Sequence, residues 1–204
     1  GNTTGVTLSN NANLTFNKNV NTSINKAISG NGNVSANITG DLTLTSDIAL
    51  TGTNTINLAA SNAITESMGS LTATNLYMTA TGSGIGATGN RIQSNVNNLS
   101  FSAGGNVFIT EANAVTAAGR TTANNGNIDL ATTNGTLSIK AVNSISGMTT
   151  NGSGNITLTG YTSTGHGISI NNNITATNGD VSLTGTTTST TNPNAGVYSS
   201  GTVS

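Results

Sequence analysis

Residues 82–116 read GSGIGATGNRIQSNVNNLSFSAGGNVFITEANAVT. Two short runs of alternating apolar and small polar residues stand out, Leu99-Ser100-Phe101 and Val107-Phe108-Ile109, joined through Gly104-Gly105 and followed by Asn113-Ala114-Val115. Alternation of period two marks a strand with one buried face, and each run lasts only a few residues before Gly or Asn bends the chain. The same unit returns along the sequence as Gly40-Asp-Leu-Thr-Leu-Thr, Asn54-Thr-Ile-Asn-Leu-Ala, Gly126-Asn-Ile-Asp-Leu-Ala, Gly154-Asn-Ile-Thr-Leu-Thr and Gly179-Asp-Val-Ser-Leu-Thr. The chain is a repeat.

The repeat spacing selects the architecture. Leu76 and Leu99 are 23 positions apart, Ile156 and Val181 are 25, and Val181 and Val203 are 22, with lesser strands such as Ile168/Ile170 about midway. Two or three short strands per 20–25 residues is what one coil of a parallel β-helix requires, because each coil stacks its strands on those of its neighbours. The expected fold is therefore an all-β solenoid running continuously through residues 1–204, with residues 1–40 less regular and 184–194 read as an inserted loop. In the narrow column this predicts, Leu99, Phe101, Val107, Ile109, Ile128, Leu130, Ile156, Leu158, Val181 and Leu183 point inward. Ser100, Phe108, Asp129, Thr157 and Ser182 point outward. Gly and Asn are expected to take the positive φ angles of the corners. Roughly nine coils at about 4.8 Å each would make a rod of about 40–45 Å. The alternative is an antiparallel sandwich, signalled by Asn134-Gly135 between Ile128-Asp-Leu130 and Leu137-Ser-Ile139 and by the pairs Asn125-Gly126, Asn151-Gly152 and Asn178-Gly179. A two-sheet core would need large side chains on both inner faces, which this sequence lacks.

Composition bounds the function. Of 204 residues only 5 are Lys or Arg and 6 are Asp or Glu, giving a net charge of −1. Such a surface offers no field for nucleic acid and no polybasic patch for anionic lipid. No run is long and apolar enough to span a bilayer. Cysteine is absent, so a continuous repeat core must supply stability without disulfides.

Sites of chemistry are scarce. His166 stands in Thr164-Gly165-His166-Gly167 with no second His, so no transition-metal site is read there and no cofactor is expected. Asp41, Asp47, Glu66, Glu111, Asp129 and Asp180 are dispersed. Two could meet by stacking as in a carbohydrate-active β-helix, but with three Tyr and no Trp there is little to hold a sugar beside them. The chain is expected not to be an enzyme. Asn-x-Ser/Thr triplets make Asn13, Asn33, Asn37, Asn98, Asn155 and Asn173 candidate glycosylation sites. Outward Thr rows such as Thr43/Thr45 and Thr157/Thr159 would suit an ice-binding face only if they kept strict register along one flat side.

The run from Gly84 to Asn113, with its Ile-Gly, Arg-Ile, Gly-Gly and Val-Phe-Ile order, resembles a segment that recurs in the giant filamentous haemagglutinin-like exoproteins of Gram-negative bacteria. The GNITLTG unit at Gly154–Gly160 is similar to the coils of that family, and the likeness extends over most of residues 40–185. What the resemblance implies is a right-handed β-helical shaft, secreted and displayed at the bacterial surface as part of an adhesin or extracellular fibre. The partners it implies are adjoining coils of the same chain or other copies, and receptors or glycans on host or neighbouring cells. No counterpart of the family's amino-terminal secretion domain is visible, and both ends read as cut from something longer. A self-assembling subunit that polymerises end to end is the alternative function.

Overall fold

A computed structural model describes residues 5–190 and 195–204. It is all β, and every pairing between its named strands is parallel. Among the described residues antiparallel contact is confined to the isolated bridges Ala87–Asn90, Gly135–Tyr161 and Val142–Ile145. The sandwich alternative is thereby excluded. Asn134-Gly135 turns a corner, with Gly135 at φ +142°, and Ile128–Thr132 pairs instead with Ile156–Thr162 one coil later.

The strands form three stacks. In the first, Thr22, Leu42, Ile64, Ile85, Val107, Ile128, Ile156 and Val181 lie one above another, defining about eight turns. The second stack carries Val6, Ile28, Ile48 and Leu71. The third runs through nine ranks, from Leu14 through Val34, Ile56, Leu76, Leu99, Ala117, Ile139 and Ile170 to Ser199. At the usual strand spacing that is a rod of about 40 Å. Leu76–Leu99 and Ile156–Val181 stack as their spacing predicts. Val203 does not belong above Val181: it bridges Ile174 in the third stack, because the last coils are longer than the repeat period suggests.

Inside runs one column of aliphatic side chains. Leu99, Phe101, Val107, Ile109, Ile128, Leu130, Ile156 and Leu158 are all buried. Val181 and Leu183 pack on the column but are half-buried, since their strand pairs with another on one side only. Phe101 is the largest fully buried side chain, and it fits because the next coil places Gly119 against it. A Cβ at Gly119 would lie 2.1 Å from the ring. Of the residues expected outside, Ser100 alternates outward but is only 2% exposed, its neighbours along the outer row being Tyr77 and Ala118. Ala118 is itself covered at the level where residues 140–147 leave the stack, between Ile139 above Ala117 and Met148 above Gly119.

Residues 5–38 stack in register despite their irregular sequence, with Asn10 and Asn11 at positive φ absorbing a register shift. Of the segment 184–194, residues 184–187 continue the strand Val181–Thr187, and 191–194 lie outside the described residues. Positive φ does not explain the asparagines. Among the described residues only Asn10, Asn11, Asn125 and Asn143 adopt it, and most of the others work through their side chains. Immediately before most first-stack strands stands a residue whose side-chain oxygen accepts the N–H of its counterpart in the next coil: Asn21 from Asp41 (2.8 Å), Asp41 from Ala63 (3.1 Å), Asn106 from Asn127 (2.9 Å), Asn127 from Asn155 (2.7 Å) and Asn155 from Asp180 (2.8 Å). A second ladder, Asn13–Asn33–Thr55–Asn75–Asn98, runs up the edge of the third stack. Short amides satisfy corner N–H groups that no strand reaches, which is why this surface is built from Asn rather than charge.

Candidate functional site

The six candidate asparagines do not gather into one site. Asn13, Asn33 and Asn98 belong to the third-stack ladder, and the Nδ2 groups of Asn33 and Asn98 donate within it. Asn155 is a rung of the first-stack ladder, and Asn173 accepts the N–H of Thr202. Asn37 is exposed on the strand Ala27–Ile38. His166 accepts the N–H of Ala195 at Nδ1 (3.0 Å) and stacks on Tyr198, centroids 5.0 Å apart. Among the described residues no three His, Asp or Glu side chains could jointly hold a metal.

The charges that do converge lie at mid-shaft. The first-stack ladder fails only where Ala63 and Gly84 supply no side-chain oxygen, and at the same level the strand is interrupted. The chain leaves after Ile85, turns back through the Ala87–Asn90 bridge and re-enters at Ile92, which pairs with Ile109. Arg91 holds this excursion in place. Its Nε donates to Thr110 Oγ1 (2.8 Å), Nη1 to Asp129 Oδ2 (2.8 Å), and Nη2 to the carbonyls of Ile109 (2.7 Å) and Asp129 (2.9 Å) and to Asp129 Oδ1 (3.0 Å). The bidentate pair spans three coils and leaves the guanidinium little capacity for a ligand.

Two carboxyls point inward beside this excursion. Glu66 occupies the inner position that Leu44 fills one coil earlier and accepts the Gln93 N–H at 3.1 and 3.2 Å. Glu111 is fully buried between Ser94 and Thr132 in the rank that continues Leu71. It accepts Ser94 Oγ–H (2.7 Å), Val96 N–H (3.0 Å) and Asn113 N–H (3.3 Å). Both cap N–H groups stranded where the second stack gives way. Burial pushes the Glu66 carboxyl up to about 7 against the pull of the Gln93 N–H, with Asp47 adding repulsion. Burial raises Glu111 as well, although four hydrogen bonds oppose it.

Outside the same level lies a groove of about 380 Å³. Ala63, Gly84 and Gly86 form its floor, and Phe108 stands at its side. Ser83, Thr88 and Asn106 edge it. Phe108 was expected to face outward, and this is where it faces. The spacing of isolated acids concealed Arg91–Asp129, because the partners are 38 residues apart. The inward Glu66 and Glu111 were legible: both fall on the buried phase of Ile64-Thr65-Glu66 and Val107-Phe-Ile-Thr-Glu111.

No helix among the described residues is long and apolar enough to cross a membrane. Comparisons with protein-family models, with curated proteins and with solved structures found no match to this chain.

Proposed function

We propose that this chain is a structural shaft segment of a secreted bacterial surface protein of the filamentous haemagglutinin-like kind, acting by extension and surface contact and turning over no substrate. The observation that supports the reading is the continuity of the column. Through Leu42, Ile64, Ile85, Val107, Ile128 and Ile156 each coil passes a buried aliphatic side chain to the next, and cross-coil ladders of Asn and Asp tie the corners together, so bending the rod must break many parallel contacts at once. The nearly uncharged, amide-rich exterior and the likeness of Gly84–Asn113 to exoprotein coils support the extracellular setting. Immunogold labelling of the source cells, with the segment used to raise the antibody, tests it: label is expected on surface filaments, and label confined to the cell interior rejects the reading. Small-angle scattering should give a rod cross-section instead of a globular profile.

Polymerisation end to end is favoured by a separate observation. At one end Val197, Tyr198 and Val203 are 37%, 45% and 40% exposed beside half-buried Val181 and Leu183. At the other, Val6 is 37% exposed beside half-buried Leu14 and Phe16. Either edge would accept a further layer of strand, from the same chain or from another copy. Sedimentation velocity separates the readings: concentration-dependent linear oligomers support polymerisation, and a single monomeric boundary rejects it.

A further inference from the structure

We propose that the groove beside Phe108 binds a neutral saccharide. Three departures from the repeat coincide there. The first-stack ladder loses its rungs at Ala63 and Gly84, residues 86–91 are looped out of the strand, and Phe108 takes an outward position held elsewhere in that row by Ser23, Thr43, Thr65, Asp129, Thr157 and Ser182. Missing side chains make the hollow, and the aromatic ring gives it an apolar wall. Its size falls within the range of small-ligand sites.

The lining defines the ligand. No residue that forms it carries a formal charge, and the adjacent Arg91 and Asp129 are consumed by each other and by backbone carbonyls. An ionic ligand would find no counter-charge. Around the rim, the hydroxyls of Ser83 and Thr88 and the Nδ2 of Asn106 make no hydrogen bond to any described residue, while Asn106 Oδ1 is already held by the Asn127 N–H. An acyl chain would leave these groups without partners, which is costly once they are covered. A peptide adding as a strand needs an open edge, whereas the strand carrying Phe108 is paired on both sides. What remains is a ligand with an apolar face for the ring and several hydroxyls for the rim, and a pyranose has that form. This inference deepens the surface-contact reading by naming a ligand class, and because the test below reads local binding and requires neither secretion nor a filament, the two can fail separately.

The test uses the whole chain in solution with glucose, galactose, maltose and cellobiose as probes, read by saturation-transfer difference NMR and by titration of backbone amide shifts. At least one neutral sugar is expected to receive saturation and to move the amides of Ser83, Gly86, Thr88 and Phe108. Phe108→Ala should weaken that binding at least tenfold, and Thr88→Ala several-fold, with circular dichroism unchanged. Glucuronic acid should bind no better than glucose. Absence of transfer to all four neutral sugars overturns the proposal, as does binding that survives both substitutions unchanged. A marked preference for the acidic sugar overturns it too.

Discussion

The early coils and the late coils solve the same stacking problem with different amounts of chain. Up to residue 127, ladder partners lie 20 to 23 residues apart in both ladders. Beyond it the steps are 28 from Asn127 to Asn155, 25 from Asn155 to Asp180 and 29 from Asn173 to Thr202. The added residues go to the corners and leave the column alone: Ile128, Leu130, Ile156 and Leu158 are as buried as Ile56 and Leu58. Four corners in this part of the chain are fastened by a buried threonine near the end of a strand. Thr121 donates to the Gly126 carbonyl (2.9 Å), Thr132 to Gly135 (2.7 Å), Thr150 to Gly154 (2.6 Å) and Thr162 to Thr164 (2.6 Å). Core register and corner length are therefore separable in this fold.

The largest effect should come from a charge placed in the column, and it should be equal in the two regions. Ile56→Asp and Ile156→Asp each bury an unpaired carboxylate and are expected to cost about 4 kcal/mol by chemical denaturation. A markedly smaller loss at Ile156 would show that widening the coils loosens the core.

The next effect belongs to the early and middle coils alone, which hold both buried carboxyls. In the fold the Glu66 carboxyl titrates at about 7, against an ordinary value of 4.5. The folded protein thus keeps a proton that the unfolded chain has released. Stability is highest below pH 4.5, falls as pH rises toward 7 and levels off above it. About 2–3 kcal/mol should be lost between pH 4.5 and 7.5 by this group, and Glu111 shifts in the same direction. Urea midpoints measured across that range check the sign, and Glu66→Gln should flatten the slope. A midpoint that rises with pH contradicts the placement of these acids.

Glycines sharpen the comparison further. Gly119 closes the coil above Phe101, so Gly119→Ala should cost about 2 kcal/mol by overpacking. Gly165 turns a late corner at φ +84°, where a Cβ would meet only Thr136 Oγ1 at 3.7 Å. Gly165→Ala should therefore cost only the left-handed backbone strain, about 1 kcal/mol. Thermal melts of the two variants, side by side, measure the difference.

How much of this could be read beforehand follows from which interactions are local. Alternation such as Ile128-Asp-Leu130 exposes the inner face directly, and repeated strands at 20–25 residues imply parallel stacking; both are properties of short windows. The corners are less legible. Nothing in Val203 itself says that it stacks on Ile174 and not on Val181, because that depends on how much chain the preceding corners consume. The ladders were visible only as a surplus of Asn, and the expected role, positive φ at turns, fits few of them. Their true role depends on a partner about 20 residues away. The groove beside Phe108 is the product of three irregularities, and only the outward phase of that residue signalled it.

The smallest effect tests the ladder across the boundary between the two regions. Asn127 links them: its N–H donates to Asn106 Oδ1 across 21 residues, and its Oδ1 accepts the Asn155 N–H across 28. Asn127→Ala removes the second bond and should cost about 1 kcal/mol, the same as Asn33→Ala within the early coils. Asn127→Asp keeps an acceptor in place. Asp41 already serves as a rung, accepting the Ala63 N–H at 3.1 Å, so the aspartate variant should stay within about 0.5 kcal/mol of the parent. If both variants lose equally, the rung works through packing and not through its oxygen. Ala63→Asn probes the gap from the other side. It restores a side-chain acceptor opposite Gly84 and fills the groove floor, so it should gain up to about 1 kcal/mol while abolishing sugar binding. A gain of that size would mean that the break in the ladder is maintained at the expense of stability.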